Sequence, residues 1–232
     1  MQYYNETKLL DYQSLTIQNL IQIRKWHELD TFHRIRAVYD FVKDEILFGY
    51  NKDDSLSASE ILKDGYGQCN TKSILLMALL RALAIPCRIH GYLIDKELQK
   101  GAMTGFIYRK APQEILHSVV EVFYENHWIQ LEGVILDRQY LENLQKKFSP
   151  QPHQPFKGYG VATADFSHPQ VEFVGTDTFI QKEGIVSDLG IFDDPDELFK
   201  KHQQPIGKIK KWIYSHFARK KMNKIICKIR NL

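Results

Sequence analysis

Residues 64–86 read DGYGQCNTKSILLMALLRALAIP and place a cysteine between a glycine-containing turn and a strongly apolar segment. The apolar residues of this segment cover most of the circumference of a helix. The pattern predicts a buried helix over residues 71–84 that ends before Pro86. Cys69 therefore lies at the first turn of the helix and not inside it, where a cysteine that only packs is expected.

The position of Cys69 has a chemical consequence. The first turn of a helix offers unpaired backbone N–H groups and the positive end of the macrodipole, which favour a thiolate over a thiol. Helix N-termini and a neighbouring imidazolium lower cysteine pKa values from about 8.5 to roughly 3.5–7.5. Gly65 and Gly67 leave room for a substrate backbone near the sulfur. Cys69 is a candidate nucleophile, and the alternative is a small buried residue that closes a helix cap.

The segments around this helix predict an α+β fold. A helix is expected from Asp30 onward, and Ser57 with Glu60 has the spacing of a capping box. Strands are expected over residues 87–94, 116–124 and 128–132, with a polar loop over 95–114. One buried helix followed by an antiparallel sheet is an α+β arrangement.

The sequence after this sheet is less regular. Residues 148–170 are rich in proline and glycine, which predicts a long loop. Short strands are expected at 171–173 and 179–181, and a short helix begins after Asp194. We divide the chain into a domain over residues 1–204, with a core at about 30–137 and an extension over 148–204, and a tail over 205–232.

Two segments carry a resemblance to a known family. Residues 65–92 read GYGQCNTKSILLMALLRALAIPCRIHGY, and residues 117–133 read HSVVEVFYENHWIQLEG. In order and spacing, these segments resemble the core of the transglutaminase-like superfamily over about residues 30–137. The resemblance implies a papain-like fold and a Cys-His-Asp triad that performs acyl transfer at amides, by hydrolysis or by transfer to an amine.

The resemblance assigns a role to three residues. It makes Cys69 the nucleophile, His117 its general base and later acid, and Glu132 the group that orients the imidazole. The chain differs from the family in having Glu132 in place of the usual Asp, and Gly133 where a proline often follows.

The hairpin geometry raises a difficulty for Glu132. A tight hairpin with Glu125 opposite Trp128 sets Glu132 four residues from the position opposite His117. At about 3.3 Å per residue this is too far for a hydrogen bond. Either a bulge shifts the register, or Asp137 is the orienting acid; the motif favours Glu132.

An acyl-transfer site also needs donors for the oxyanion of its tetrahedral intermediate. The backbone N–H of Cys69 is one, and a side chain of Gln68, Tyr66 or Tyr50 is the other. The sequence does not choose among these three.

The other cysteines and histidines carry weaker signals. Three cysteines without paired spacing indicate a reducing compartment, and no leader or long apolar run is visible, so we expect a cytoplasmic protein. Cys87 is expected in the core, and Cys227 has no partner at ligand spacing. The histidines His90, His127, His153 and His168 form no metal-ligand pattern, so no metal and no cofactor are expected.

Residues 205–232 form a basic segment. They hold nine Lys or Arg and no acid in a chain of net charge +3, so residues 1–204 carry a net charge of about −6. Apolar residues at helical spacing recur within it, which predicts two helices or one kinked helix. Such a segment binds an anionic membrane surface or an acidic partner, or else packs on the acidic body. No nucleic-acid partner is expected.

These observations lead to one main hypothesis and three alternatives. The main hypothesis is a cysteine peptidase or amidase that acts on a peptide or amide substrate through a Cys69 thioester. A binding or scaffold protein that keeps the fold without turnover is the first alternative. Protein cross-linking and an arylamine N-acetyltransferase are less favoured, because the sequence shows neither an amine-acceptor site nor a coenzyme A signature.

Overall fold

The structure, a computed structural model, describes residues 4–202, 207 and 213–232. The α-helices are α1 Leu15–Arg24, α2 Thr31–Asp40, α3 Ala58–Asp64, α4 Cys69–Ala82, α5 Gly105–Lys110, α6 Arg138–Phe148, α7 Pro195–Lys201 and the C-terminal helix Arg219–Arg230. The strands are β1 Leu47–Phe48, β2 Tyr66–Gly67, β3 Cys87–Asp95, β4 Glu114–Tyr124, β5 His127–Gln130, β6 Phe156–Gly158, β7 Val161–Thr163 and β8 Ile185–Phe192.

The centre of the fold is α4 packed on an antiparallel sheet with the strand order β5-β4-β3-β8. The side chains of α4 from Ile74 to Leu80 are fully buried in the main core. Ser73 on α4 donates a hydrogen bond of 3.1 Å to the carbonyl oxygen of Ser118 on β4, which fixes the helix along that strand. The predicted α+β fold is confirmed.

Helix α4 begins two residues earlier than the apolar pattern predicts. Its N-cap is Gln68, whose side-chain oxygen accepts from the backbone N–H of Asn70 at 2.9 Å. The backbone N–H of Gln68 in turn donates to the hydroxyl of Thr71 at 3.0 Å. This reciprocal cap starts the helix at Cys69, so the first helical residue is the candidate nucleophile.

The two-residue turn of the β4–β5 hairpin lies one residue earlier than the sequence analysis assumes. Tyr124 pairs with His127, so the turn consists of Glu125 and Asn126 alone. Both turn residues have positive φ, 47° and 66°, as a two-residue type I′ turn requires. The predicted pairing of Glu125 with Trp128 is therefore wrong.

The new register brings Glu132 closer to His117. If the pairing continued beyond β5, Glu132 would lie two residues from the position opposite His117, not four. The chain instead leaves the strand after Gln130 and forms a 3-10 helix over Glu132–Ile135. This turn carries the side chain of Glu132 toward β4.

Other predicted elements differ from the structure at the periphery. The predicted strands at 171–173 and 179–181 are not strands, and the last strand of the sheet is β8. Strand β8 is hard to recognise because Gly190 and two register shifts interrupt its alternation. The predicted loops over 95–114 and 148–170 contain α5 and the small β6–β7 sheet.

The C-terminal helix packs on the domain. Its apolar residues Met222, Ile226 and Ile229 are buried in the main core, and the helix contacts α6. For this helix, the alternative that the basic segment packs on the acidic body therefore holds. Residues 203–206 and 208–212 of the chain lie outside the described residues. Its exposed lysines leave binding to an anionic surface or an acidic partner as a prediction. Among the described residues, no helix combines the length and apolar character needed to cross a bilayer.

Candidate active site

The thiol of Cys69 lies at the N-terminus of α4 with about 7% of the residue exposed. Its Sγ lies 2.9 Å from the side-chain oxygen of Gln68 and 3.7 Å from that of Asn70. The sulfur therefore has two amide oxygens beside it, in addition to the backbone N–H groups of the first helical turn.

A carboxylate holds these two amides in place. Asp54 accepts hydrogen bonds from the side-chain NH2 groups of Gln68 and of Asn70, the latter at 3.0 Å. Asn70 also donates to the carbonyl oxygen of Leu116 at 3.2 Å and accepts from Ser118 at 3.0 Å. Because the amide nitrogens are bound elsewhere, the amide oxygens face the sulfur. Asp54 was missed by the sequence analysis, since it lies in a loop with no motif around it.

His117, on β4, is fully buried between the sulfur and a carboxylate. Its Nε2 is 2.9 Å from Oε1 of Glu132. Its Nδ1 has no hydrogen-bond partner among the described residues, and the ring interacts electrostatically with the thiol of Cys69. Burial opposes a charge on the ring, but the neighbouring Cys69 and the carboxylate of Glu132 outweigh it and raise the pKa of His117 to about 10. The imidazole is therefore the basic group within reach of the thiol proton.

Glu132 is held by backbone groups from a distant segment. Its second oxygen, Oε2, accepts from the N–H groups of Ile180 and Gln181 at 2.9 and 3.0 Å. Each carboxylate oxygen thus has a partner, although only 2% of the residue is exposed. The two N–H donors fix the direction of the carboxylate, and with it the oxygen that contacts His117. Residues 180–181 were assigned as a strand end by the sequence analysis, and nothing local marks them as donors.

Gly133 has a packing reason to lack a side chain. A Cβ at this position would lie 2.5 Å from the hydroxyl of Tyr39 and 2.9 Å from the side chain of Thr178. The backbone N–H of Gly133 also donates to the hydroxyl of Thr178 at 3.0 Å. The glycine therefore lets the segment before Ile180 approach closely enough to hold Glu132.

Asp137, the second candidate acid, is engaged elsewhere. It is the N-cap of α6 and accepts from the backbone N–H of Tyr140 at 3.0 Å and from that of Phe48 at 2.8 Å. It also forms an ion pair of 2.7 Å with Arg230 on the C-terminal helix. The structure brings Glu132 to His117 and gives Asp137 other partners.

The three oxyanion candidates have different surroundings. The NH2 group of Gln68 is held by Asp54, and the hydroxyl of Tyr66 accepts from Arg219 at 3.0 Å. Tyr50 is 5% exposed, its hydroxyl donates to the side-chain oxygen of Gln99, and it interacts electrostatically with Cys69. Burial raises the pKa of Tyr50 well above the usual value, so its hydroxyl stays protonated and able to donate.

Lys72, one turn after Cys69, is a buried base that the sequence analysis missed. Its ammonium donates to the carbonyl oxygens of Lys43 and Ile135, both at 3.0 Å, and none of its surface is exposed. Burial lowers its pKa to about 7, against the opposing effect of Asp137. The amphipathic pattern gave no signal for it, because lysine in a helix is normally solvated.

His90 belongs to a polar cluster on the sheet next to the site. It lies 2.9 Å from Glu121 and 2.8 Å from Asp188, and its pKa is raised because these carboxylates outweigh its desolvation. Tyr92, which pairs with His117 across the sheet, contacts the ring of His90. In the described part of the chain, no group of three or more His, Cys, Asp or Glu residues could hold a metal ion.

The remaining two thiols lie away from this arrangement. Cys87 is fully buried, as predicted, and burial raises its pKa to about 11, so it remains a thiol. Cys227 is exposed on the C-terminal helix. Cys69 is thus the cysteine that meets an imidazole.

Comparison with known proteins agrees with the resemblance. Residues 22–133 match the family model described as transglutaminase-like superfamily. No curated protein matches the sequence of this chain. This match supports cysteine-dependent chemistry, which is the chemistry that the arrangement of Cys69 and His117 suits.

Two solved structures are similar to the chain. A candidate cysteine protease from Cytophaga hutchinsonii is 13% identical, with a TM-score of 0.48 over 84% of this chain and 47% of that one. A red sea bream transglutaminase is 18% identical, with a TM-score of 0.32 over 53% of this chain and 25% of that one. The chain thus spans about half the length of the first of these structures. By this family match, residues 22–133 are similar to the core of the transglutaminase-like superfamily.

Proposed function

We propose that this protein is a cysteine-dependent enzyme that hydrolyses an amide bond through a thioester on Cys69. The observation that carries the proposal is the buried His117, whose Nε2 is held by Glu132, whose Nδ1 is left without a hydrogen-bond partner, and whose ring interacts with Cys69. The site therefore combines a candidate nucleophile, a base and a carboxylate that orients the base.

The acylation step follows from these contacts. His117 takes the proton of Cys69, and the thiolate attacks the carbonyl carbon of the substrate. The C–N bond then breaks, and the imidazolium gives its proton to the leaving amine. Glu132 stabilises the imidazolium between these two transfers.

Water completes the reaction. It gives a proton to His117 as its oxygen attacks the thioester, and the S–C bond breaks to release the acid and restore the thiol. In both steps the oxyanion is met by the backbone N–H of Cys69 and, in our proposal, by the hydroxyl of Tyr50, which must turn from Gln99 toward it.

Formation of the acyl-enzyme can be tested without knowing the natural substrate. We expect p-nitrophenyl acetate to acetylate Cys69 in the wild-type protein, detected by peptide mass spectrometry, and to leave the exposed Cys227 largely unmodified. His117→Ala is expected to lose this acetylation because the thiol proton then has no acceptor. Equal acetylation in the wild type and in His117→Ala would contradict the proposal.

The fate of the acyl group separates the alternatives. Release of acetate in buffer, with no gain in turnover when a primary amine is added, supports hydrolysis. Faster turnover with the amine incorporated into product would support transfer to an amine instead. A wild-type protein in which Cys69 is not acetylated would favour a binding or scaffold role.

A further inference from the structure

The C-terminal helix presents a polar stripe beside its buried apolar one. Arg219, Asn223 and Arg230 are separated by four and seven residues, so their side chains lie on one face of the helix. Each of them makes a hydrogen bond to residues 48–66, the part of the chain that leads to Cys69.

The contact of Asn223 is the most specific of the three. Its side-chain NH2 donates to the carbonyl oxygen of Tyr50 at 3.1 Å, and its side-chain oxygen accepts from the N–H of Tyr50 at 2.8 Å. The amide therefore pairs with both backbone groups of one residue, as a neighbouring strand would. Strand β1 has ended two residues before Tyr50, so Asn223 takes over where the β1–β2 pairing stops.

The packing around this contact is close. A Cβ at Gly49 would lie 3.5 Å from the side-chain oxygen of Asn223 and 3.1 Å from the ring of Tyr66. Arg230 donates to the carbonyl oxygen of Phe48 at 2.6 Å. The backbone over residues 48–50 is thus held against the C-terminal helix.

We infer that Asn223 is a positioning residue of the active site, which fixes the backbone of Tyr50 so that its hydroxyl can turn from Gln99 to the oxyanion formed at Cys69. The inference rests on the proposed function. It means that the C-terminal helix helps to position an active-site residue and also packs on the core. Loss of an oxyanion donor costs about 10²–10³ in rate, and a displacement of about 1 Å can cost about 10²-fold.

The test compares two reactions of the same sulfur. Acylation by p-nitrophenyl acetate builds an oxyanion, whereas alkylation by iodoacetamide attacks a saturated carbon and builds none. We expect Asn223→Ala to lower the ratio of the acylation rate to the alkylation rate by about tenfold or more. A merely structural role would change both reactions together or only the melting temperature.

Asn143→Ala is the matched control. Asn143 on α6 also uses its side-chain NH2 to hold the C-terminal helix, donating to the carbonyl oxygen of Arg230 at 2.7 Å. This bond has no part in the contact with Tyr50, so the control is expected to keep the wild-type ratio. The same ratio in Asn223→Ala and Asn143→Ala would overturn the inference. Asn223→Ser, which can keep one of the two bonds, gives the same comparison if the alanine variant does not fold.

A double-mutant cycle tests whether Asn223 acts through Tyr50. Tyr50→Phe is expected to lower the ratio at least as much as Asn223→Ala does, and the double variant is expected to lower it no further than Tyr50→Phe. Independent, multiplicative losses would contradict the inference and leave the proposed function standing. Equal acylation in the wild type and His117→Ala would instead overturn the proposed function, and this inference with it.

Discussion

Glu132 and Asp137 are two buried acids with the same pattern of partners and different tasks. Each accepts two backbone N–H groups and pairs with one side chain that carries a positive charge. Glu132 pairs with His117, whose charge can change, and Asp137 pairs with Arg230, whose charge is permanent. Burial and hydrogen bonding are alike at the two sites, so the partner decides which acid takes part in chemistry.

The two pairs also hold different parts of the molecule. Glu132 joins β4 to residues 180–181, and Asp137 joins the N-terminus of α6 to β1 and the C-terminal helix. The ion pair with Arg230 and two backbone donors outweigh the burial of Asp137 and keep its pKa below the usual value. Variants of the first acid should therefore change reactivity, and variants of the second should change stability.

The largest expected effect is that of Glu132→Gln on acylation. The amide keeps the size of the side chain but presents an NH2 group to Nε2 of His117, which forces the wrong tautomer and cannot stabilise the imidazolium. We expect the acylation rate with p-nitrophenyl acetate to fall by about 10³-fold or more while circular dichroism stays unchanged. A fall of less than tenfold in a folded variant would mean that Glu132 does not orient His117.

Asp137→Asn should lower the stability of the protein and leave the reactivity of Cys69 unchanged. It leaves the guanidinium of Arg230 without a charged partner in a largely buried place, and breaking such a pair costs about 3 kcal/mol. We expect the free energy of unfolding in urea to fall by about that amount. The pH profile of Cys69 alkylation is expected to match the wild type, and a changed profile would link Asp137 to His117 after all.

The sequence offers Glu132 and Asp137 as candidate acids for different reasons. The resemblance of residues 117–133 to the transglutaminase-like superfamily selects Glu132, whereas Asp137 is a candidate only because the assumed hairpin register leaves Glu132 too far from His117. The hairpin register could not be read, because Glu125 and Asn126 are an unusual pair for a type I′ turn and the sequence offered other turns.

The contacts that complete the site come from far along the chain. Ile180 and Gln181 reach Glu132, and Asn223 reaches Tyr50, across long loops that no periodicity predicts. The core helix, its cysteine and the α+β plan are readable because α4 is apolar on nearly all sides. The tertiary donors are polar residues in irregular segments, where local pattern carries no information about the partner.

A smaller loss of stability and of acylation rate is expected when Gly133, which lies next to Glu132, is substituted. Gly133→Ala places a methyl group 2.5 Å from the hydroxyl of Tyr39 and 2.9 Å from the backbone of Val171. Relieving this overlap should cost about 1–3 kcal/mol in urea unfolding and should lower acylation more than alkylation. Wild-type stability in this variant would show that the segment beside Glu132 is not tightly packed.

A further effect depends on pH and concerns Lys72, whose ammonium donates to the carbonyl oxygens of Lys43 and Ile135. Its folded-state pKa of about 7 is below the value of about 10.4 expected in the unfolded chain, so the unfolded state binds more protons between these values. Stability that depends on Lys72 should therefore rise with pH over this window, by at most about 1.4 kcal/mol per pH unit. We expect the unfolding free energy of the wild type minus that of Lys72→Met to become more positive from pH 7 to pH 10. A difference that stays constant would show that Lys72 keeps its charge when buried.

The most direct test of the central claim is the rate at which iodoacetamide alkylates Cys69 as a function of pH. Because the pKa of His117 is raised to about 10, the imidazolium persists beside the sulfur through neutral pH. We expect the wild type to react faster than a free thiol at pH 6 and its rate to change little up to pH 9, whereas the rate for His117→Ala should regain the steep rise of a free thiol. Identical pH profiles for the two folded proteins would contradict the central claim.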